Sequence, residues 1–230
     1  MKKTALSLLM FCVFTVMSAQ EITRDESESV LTFSLFTPTF SYAPRYKVGF
    51  MHKISSRWWA GLSAGYGNYD TSFNFTRNDD NNIVNKDYKL YEVRPEIYYD
   101  LRPTSKLKHL LSAELFYIHH TDVFYNDRYN ENIYTYKYTT ADYRRIKTGL
   151  NINYNLLFYF TKKLGLTLTT GLGVKFRNVN FNNVTGKTEV DISGDDEGNL
   201  GLFEIDGYRK EAGNDTNINF NFDLKLFYKF

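Results

Sequence analysis

Ile218 to Phe230 closes the sequence with an alternation that few folds accept. Ile218, Phe220, Phe222, Leu224, Leu226, Tyr228 and Phe230 fall on one face. Asn217, Asn219, Asn221, Asp223, Lys225 and Lys229 fall on the other, and only Phe227 interrupts the polar side. Successive side chains of a strand point to opposite faces, so a period of two predicts a strand with one apolar and one polar side. Leu164, Leu166, Leu168, Thr170, Leu172, Val174 and Phe176 repeat the pattern against Gly165, Thr167, Thr169, Gly171, Gly173, Lys175 and Arg177. Both runs exceed the roughly five or six residues of an ordinary soluble strand. Both also reach the roughly 9 to 11 residues that a tilted strand needs to cross a bilayer. Beyond residue 19 no stretch of about eighteen apolar residues occurs, so no transmembrane helix is expected.

Earlier segments alternate too. Ile146 to Leu156, Leu111 to Tyr117, Tyr91 to Tyr99, Trp58 to Tyr66, Tyr46 to Ile54 and Leu31 to Phe40 bring the expected total to about eight strands. An even number suits a single-chain bacterial barrel. Pro95 lies inside one of these runs and predicts a bulge, because proline cannot donate to a ladder. The expected connections alternate in length. Ser55 to Arg57, Arg102 to Lys108 and Thr161 to Lys163 are short, whereas Tyr69 to Asp87, Tyr125 to Tyr138 and Asn178 to Asp215 are long and polar. Short turns at one end and long loops at the other are the pattern of outer-membrane barrels. The connection near Ala43 and Pro44 is short and departs from it.

Composition narrows the class further. Lys2 and Lys3, an apolar run from Ala5 to Val16, and small Ser18 and Ala19 have the layout of a cleavable secretory signal over residues 1–19. The run is about a dozen residues, too short to span a bilayer as a helix. Cys12 is the only cysteine and lies within it, after bulky Phe11, so neither lipid attachment, disulfide nor thiol chemistry is expected of the mature chain. Without Lys2 and Lys3 the mature chain is formally neutral, which gives no basis for a nucleic-acid partner. A soluble barrel would alternate as well, with its apolar face inward. Export, strand length, unequal loops and aromatic residues near strand ends favour the membrane form.

These features together resemble the small eight-stranded outer-membrane barrels of the OmpA and OmpX type. The resemblance rests on architecture and on the closing run Phe220 to Phe230. It implies an all-β, antiparallel transmembrane barrel over residues 31–230, preceded by a short periplasmic segment at 20–30. It also implies that Tyr228 and Phe230 act as the terminal signal read by the barrel-assembly machinery. No peptidoglycan-binding domain follows Phe230 in this sequence, so cell-wall anchoring is not expected.

The candidate site is the lumen. Glu92, Arg94, Glu96, Glu114, Arg145, Lys147, Lys175, Arg177, Asp223 and Lys225 all fall on the polar faces. Side chains fill a barrel this narrow, and opposite charges there are expected to pair and plug it, since unpaired buried charges are costly. Gly61 and Gly65 read as space in the lumen and not as a helix-dimer motif. His119 and His120 are adjacent and should point to opposite faces, which prevents them from sharing a metal or proton relay. No G-x-S-x-G pattern supplies a nucleophilic serine. Oxygen-rich runs at Asn78 to Asn82 and Asp191 to Asn199 lack calcium-loop spacing and read as solvated loop. The expectation is a monomeric, non-enzymatic barrel without cofactor, both termini periplasmic, in contact with outer-membrane lipid. Its role would be structural or surface-interacting through long loops that meet an extracellular ligand or protein. The alternatives are a narrow channel for small solutes and an accessory barrel of a secretion or assembly machine.

Overall fold

The computed structural model describes residues 28–41, 43–71, 84–102, 107–132, 134–190 and 210–230. The signal segment at 1–19 and the two oxygen-rich loop runs lie outside the described residues. Nine strands form among them: β1 Ser29–Ser34, β2 Tyr46–Lys53, β3 Trp58–Asn68, β4 Lys89–Asp100, β5 Lys108–Glu131, β6 Tyr134–Tyr159, β7 Leu164–Thr185, β8 Thr188–Val190 and β9 Gly213–Lys229. Each strand from β1 to β6 pairs antiparallel with the next, β7 pairs with β9, and β9 returns to β1. Eight strands therefore close the barrel, and β8 is a short return against Thr135–Lys137 of β6. No described helix is long and apolar enough to cross a membrane.

Closure needs tilt, and the register shows it. Starting at Phe220, one row of partners runs through Leu172, Ile152, Ala113, Ile97, Ala60 and His52 to Ser29. Ser29 then exchanges backbone hydrogen bonds with Phe230, so the row returns to β9 ten residues from its start. A stagger of this kind is what tilted barrel strands require.

Polarity is inverted relative to a soluble barrel. Leu31, Val48, Leu62, Val93, Leu115, Leu150 and Leu172 are exposed on the outside, while Glu92, Arg94, Glu114, Asp223 and Lys225 are buried within. That is the polarity of a barrel wrapped in lipid. Rings mark both ends of the apolar band. Trp58 meets Tyr99 edge-on at 5.0 Å near the short turns, and Tyr66 meets Tyr91 at 5.4 Å on the far side. Tyr91 and Tyr99 lie on one strand at a separation of about 20 Å along the barrel axis, from the usual rise per residue and a tilt near 40°.

Four expectations are corrected. The first strand ends at Ser34, not Phe40, because the chain turns into a short helix, α1 (Phe36–Thr39). Pro38, which cannot donate to a ladder, sits in that turn, and the Thr37 hydroxyl donates to Ser34 Oγ at 2.9 Å. Pro95 causes no bulge: the β4–β5 ladder skips Arg94 and Pro95 and resumes in the same register. Its missing N–H removes a rung without adding a residue. Finally, Tyr125 to Tyr138 is not a long loop. β5 and β6 continue as a hairpin to Glu131↔Tyr134, turning at Asn132 with φ 57°, a left-handed conformation that asparagine tolerates in tight hairpins. The span from Asn178 to Asp215 is likewise strand at both described ends, with β7 reaching Thr185 and β9 beginning at Gly213.

Candidate functional site

The lumen is filled in layers. Nearest the short turns, Val30, Met51, Trp59, Tyr98, Leu110, Leu157 and Phe227 form a buried apolar seal. Phe227, the one residue that broke the polar side of the last strand, belongs here, with its ring edge-on to Tyr159 at 4.9 Å. Gly165 makes room for it, since a Cβ there would meet the Phe227 ring at 2.5 Å. Aromatic rings commonly cover strand glycines in this way.

Above the seal the packing becomes polar. The Tyr98 hydroxyl donates to Glu96 at 2.5 Å and Ser63 donates to the same carboxylate at 3.1 Å. Lys47 pairs with Asp223 at 2.7 Å, and Ser34 donates to Asp223 at 2.6 Å. The next layer centres on Glu92, which accepts from both Arg45 and Arg94. Arg94 also pairs with Glu114 at 2.5 Å, and Asn151 donates to Glu114 at 2.7 Å. Hydrogen-bonded networks of this density compensate the desolvation of buried charge.

Two glycines of β7 link three strands. Gly171 lies between Asn153 and Asn221, and Gly173 between Asn151 and Asn219. With no side chain intervening, Asn219 donates across β7 to Asn151 at 2.8 Å and Asn221 to Asn153 at 2.9 Å. A Cβ on Gly171 would approach Asn153 Oδ1 to 2.1 Å, and one on Gly173 would approach Asn151 Oδ1 to 2.3 Å. Gly173→Ala is expected to destabilise the barrel by about 1–3 kcal/mol through overpacking and loss of this bridge. The check is urea unfolding in lipid vesicles. An unchanged midpoint would mean that the strands part without cost.

Farther from the short turns comes a second apolar group, Ala43, Val84, Tyr88, Leu90, Phe116 and Ile118. His120 is buried between the rings of Tyr88 (4.9 Å) and Tyr143 (5.1 Å), while neighbouring His119 lies on the opposite face of β5. Beyond it, the projecting parts of β5, β6 and β7 carry an aromatic cluster in which Tyr129 stacks on Phe181 at 4.4 Å. Lys187, in the turn after β7, sits 3.7 Å above the Tyr136 ring. Its ammonium pKa is raised, first by a hydrogen bond with Tyr129.

All ten charged residues singled out from the sequence lie on inward faces, but they do not form one cluster. Glu92, Arg94 and Glu114 share a network, and Asp223 and Glu96 belong to the layer below, with Lys225 buried beside them. Arg145 and Lys147 line a cavity above. Arg177 pairs farther out with Glu211 at 2.9 Å and Asp215 at 3.2 Å, and Lys175 is half-buried. Arg45 and Lys47 were missed. Lys47 was legible, because it sits opposite Tyr46 and Val48 in an alternating run. Arg45 was not, because it precedes the strand in an irregular connection whose backbone only tertiary contacts fix. Tyr228 and Phe230 lie on the outward face at the short-turn end, their rings 6.4 Å apart.

No protein-family model matches the chain, and no curated protein does. Among solved structures it is similar to the N-terminal β-barrel domain of Pseudomonas aeruginosa OprF, at 14% identity and TM-score 0.39, covering 89% of this chain and 97% of that one. It is similar to a major outer membrane protein from Thermus thermophilus, at 10% identity and TM-score 0.41, covering 89% and 99%. Neisserial surface protein A is similar at 11% identity and TM-score 0.32, covering 88% and 94%.

Proposed function

We propose that this chain is an outer-membrane β-barrel with a structural or surface-interaction role, exported by residues 1–19, inserted by the barrel-assembly machinery, closed to through-flow and without catalytic activity. The observation that carries the reading is the combination of an apolar outer band with a lumen filled from the Trp59 and Phe227 seal to the ion pairs of Glu92. β5, β6 and β7 run to 24, 26 and 22 residues, more than ten beyond the roughly 9 to 11 that span a bilayer. They support a rigid projection, the kind of scaffold on which binding variation usually sits.

Three measurements test it. The protein is expected in the outer-membrane fraction with a heat-dependent shift on an SDS gel, because a closed sheet resists detergent until heated; a soluble, unshifted protein overturns the reading. In intact cells, Asn132→Cys is expected to react with a membrane-impermeant maleimide while Lys163→Cys, in a short turn at the other end, is not. The reverse labelling would place the hairpin inside. The reconstituted protein is expected to show no conductance above background, and steady unitary steps would restore the channel alternative.

A further inference from the structure

Away from the short turns, the outward face of the barrel changes chemistry within two residues. Tyr66, Tyr91, His119 and Ile146 lie side by side in one row across β3, β4, β5 and β6. The next outward row reads Asn68, Lys89, Thr121, Arg144 and Asn180, from β3 to β7. Lys89 and Arg144 are exposed, and Thr121 between them is half-buried. Among the described residues no hydrogen bond or ion pair engages the side chain of Lys89, Thr121 or Arg144. Asp87 and Asp142 stand farther out and are exposed, and neither forms an ion pair with the row; Asp142 accepts from Asn183 at 2.6 Å.

Position along the barrel sets the depth of this row. Tyr66 and Tyr91 mark the far aromatic edge of the apolar band, and such rings collect at a membrane interface. Lys89 is two residues beyond Tyr91, about 5 Å farther along the barrel axis, and the inclination of the rows carries Arg144 about 6 Å beyond that. Both cations therefore stand at headgroup depth, while Val93, Leu115, Tyr117 and Leu150 nearer the short turns are exposed where acyl chains lie. Lys89 and Arg144 are two strand spacings apart, about 10 Å between Cα atoms, so both long side chains can reach one anion over Thr121. Two like charges this close, with only neutral neighbours in their row, repel each other, and an anion between them reverses the sign of the interaction. A guanidinium offers paired donors to phosphate oxygens, an ammonium a point charge and a hydroxyl one more donor.

We infer that this row binds the phosphate of an outer-leaflet lipid. Arg144 and Lys89 hold the phosphate oxygens, Thr121 donates between them, and the acyl chains lie along Tyr117, Leu115 and Leu150. The inference rests on the membrane-barrel reading, because the row must meet lipid.

The test uses the full-length barrel in dodecyl maltoside, titrated calorimetrically with dilauroyl phosphatidic acid and, separately, with dilauroylglycerol and inorganic phosphate. Saturable one-to-one binding of the phosphatidic acid is expected, at least tenfold tighter than either the headless or the tailless probe. Lys89→Gln with Arg144→Gln should weaken it at least tenfold while the heat-dependent gel shift persists. Lys162→Gln with Lys163→Gln, two exposed cations of a short turn, should leave it unchanged. Should the Lys89 and Arg144 variant fail to fold, Thr121→Val serves instead and should weaken binding at least twofold. Equal affinity for inorganic phosphate overturns the inference in favour of a free-anion site, and equal affinity for dilauroylglycerol in favour of apolar contact alone. Equal losses in the two lysine-bearing double variants would reduce it to general charge attraction. Absence of saturable binding, or a folded row variant that binds like the parent, overturns it outright. A parent chain that shows no heat-dependent shift removes the barrel reading itself, a different failure.

Discussion

Glu92→Gln is expected to lower the stability of the folded barrel by about 3–5 kcal/mol, the usual cost of leaving a buried charge without its partner. Glu92 is 1% exposed and accepts from two guanidinium groups, Arg45 and Arg94. A neutral amide would face both cations with a dipole where a charge stood, and its NH₂ could point at a second donor. The cost lies in the stranded cation more than in the lost attraction. Arg45→Gln added to Glu92→Gln should therefore recover part of the loss, since Arg94 keeps Glu114 at 2.5 Å. Urea unfolding from lipid vesicles gives both numbers. Glu211→Gln is the comparison: the Glu211 side chain is 56% exposed and its buried partner Arg177 keeps Asp215 at 3.2 Å, so the loss should be smaller, about 1 kcal/mol. Equal midpoints for the Glu92 and Glu211 variants would mean that water reaches the Glu92 layer freely and that the lumen is not closed.

Trp59→Ala should also cost about 3–5 kcal/mol, for a different reason. Trp59 is 1% exposed at the centre of the seal with Val30, Met51, Tyr98 and Phe227. The closed hydrogen-bonded wall around it cannot collapse to fill the space, so the cavity term adds to the transfer term. Leu62→Ala on the outward face should cost well under half as much, because mobile acyl chains refill the missing volume and no cavity persists. The same unfolding experiment reads the contrast. If the two substitutions were equivalent, the seal would not be packed. The conductance of the Trp59→Ala protein separates the layers: it should stay silent, because the Glu92 network still closes the lumen above.

Particular residues show how far the sequence reached. Leu164 to Phe176 and Ile218 to Phe230 were legible as strands with known faces, because lipid on one side and a polar lumen on the other impose opposite demands on alternate residues. Outside the bilayer that contrast disappears. Tyr125 to Tyr138 is strand on both sides of its turn, yet its faces meet water or other rings, so its Asn, Asp and Tyr residues carried no period and suggested loop. Pro95 misled in the other direction, since a missing donor costs one rung and need not shift the register.

The sequence by itself determined the class of the fold: all-β, even-stranded, with an apolar exterior and ten charged residues turned inward. It could do so because face alternation is a local property, readable two residues at a time. The tertiary structure alone decided which charges meet. The ten-residue stagger brings Lys47 of β2 to Asp223 of β9 and Arg45 to Glu92, pairings separated by 176 and 47 positions along the chain. It also decided that β1 stops at Ser34, where the chain turns into α1 and leaves the ladder with β9. Neither follows from local pattern, because both depend on how the sheet closes on itself.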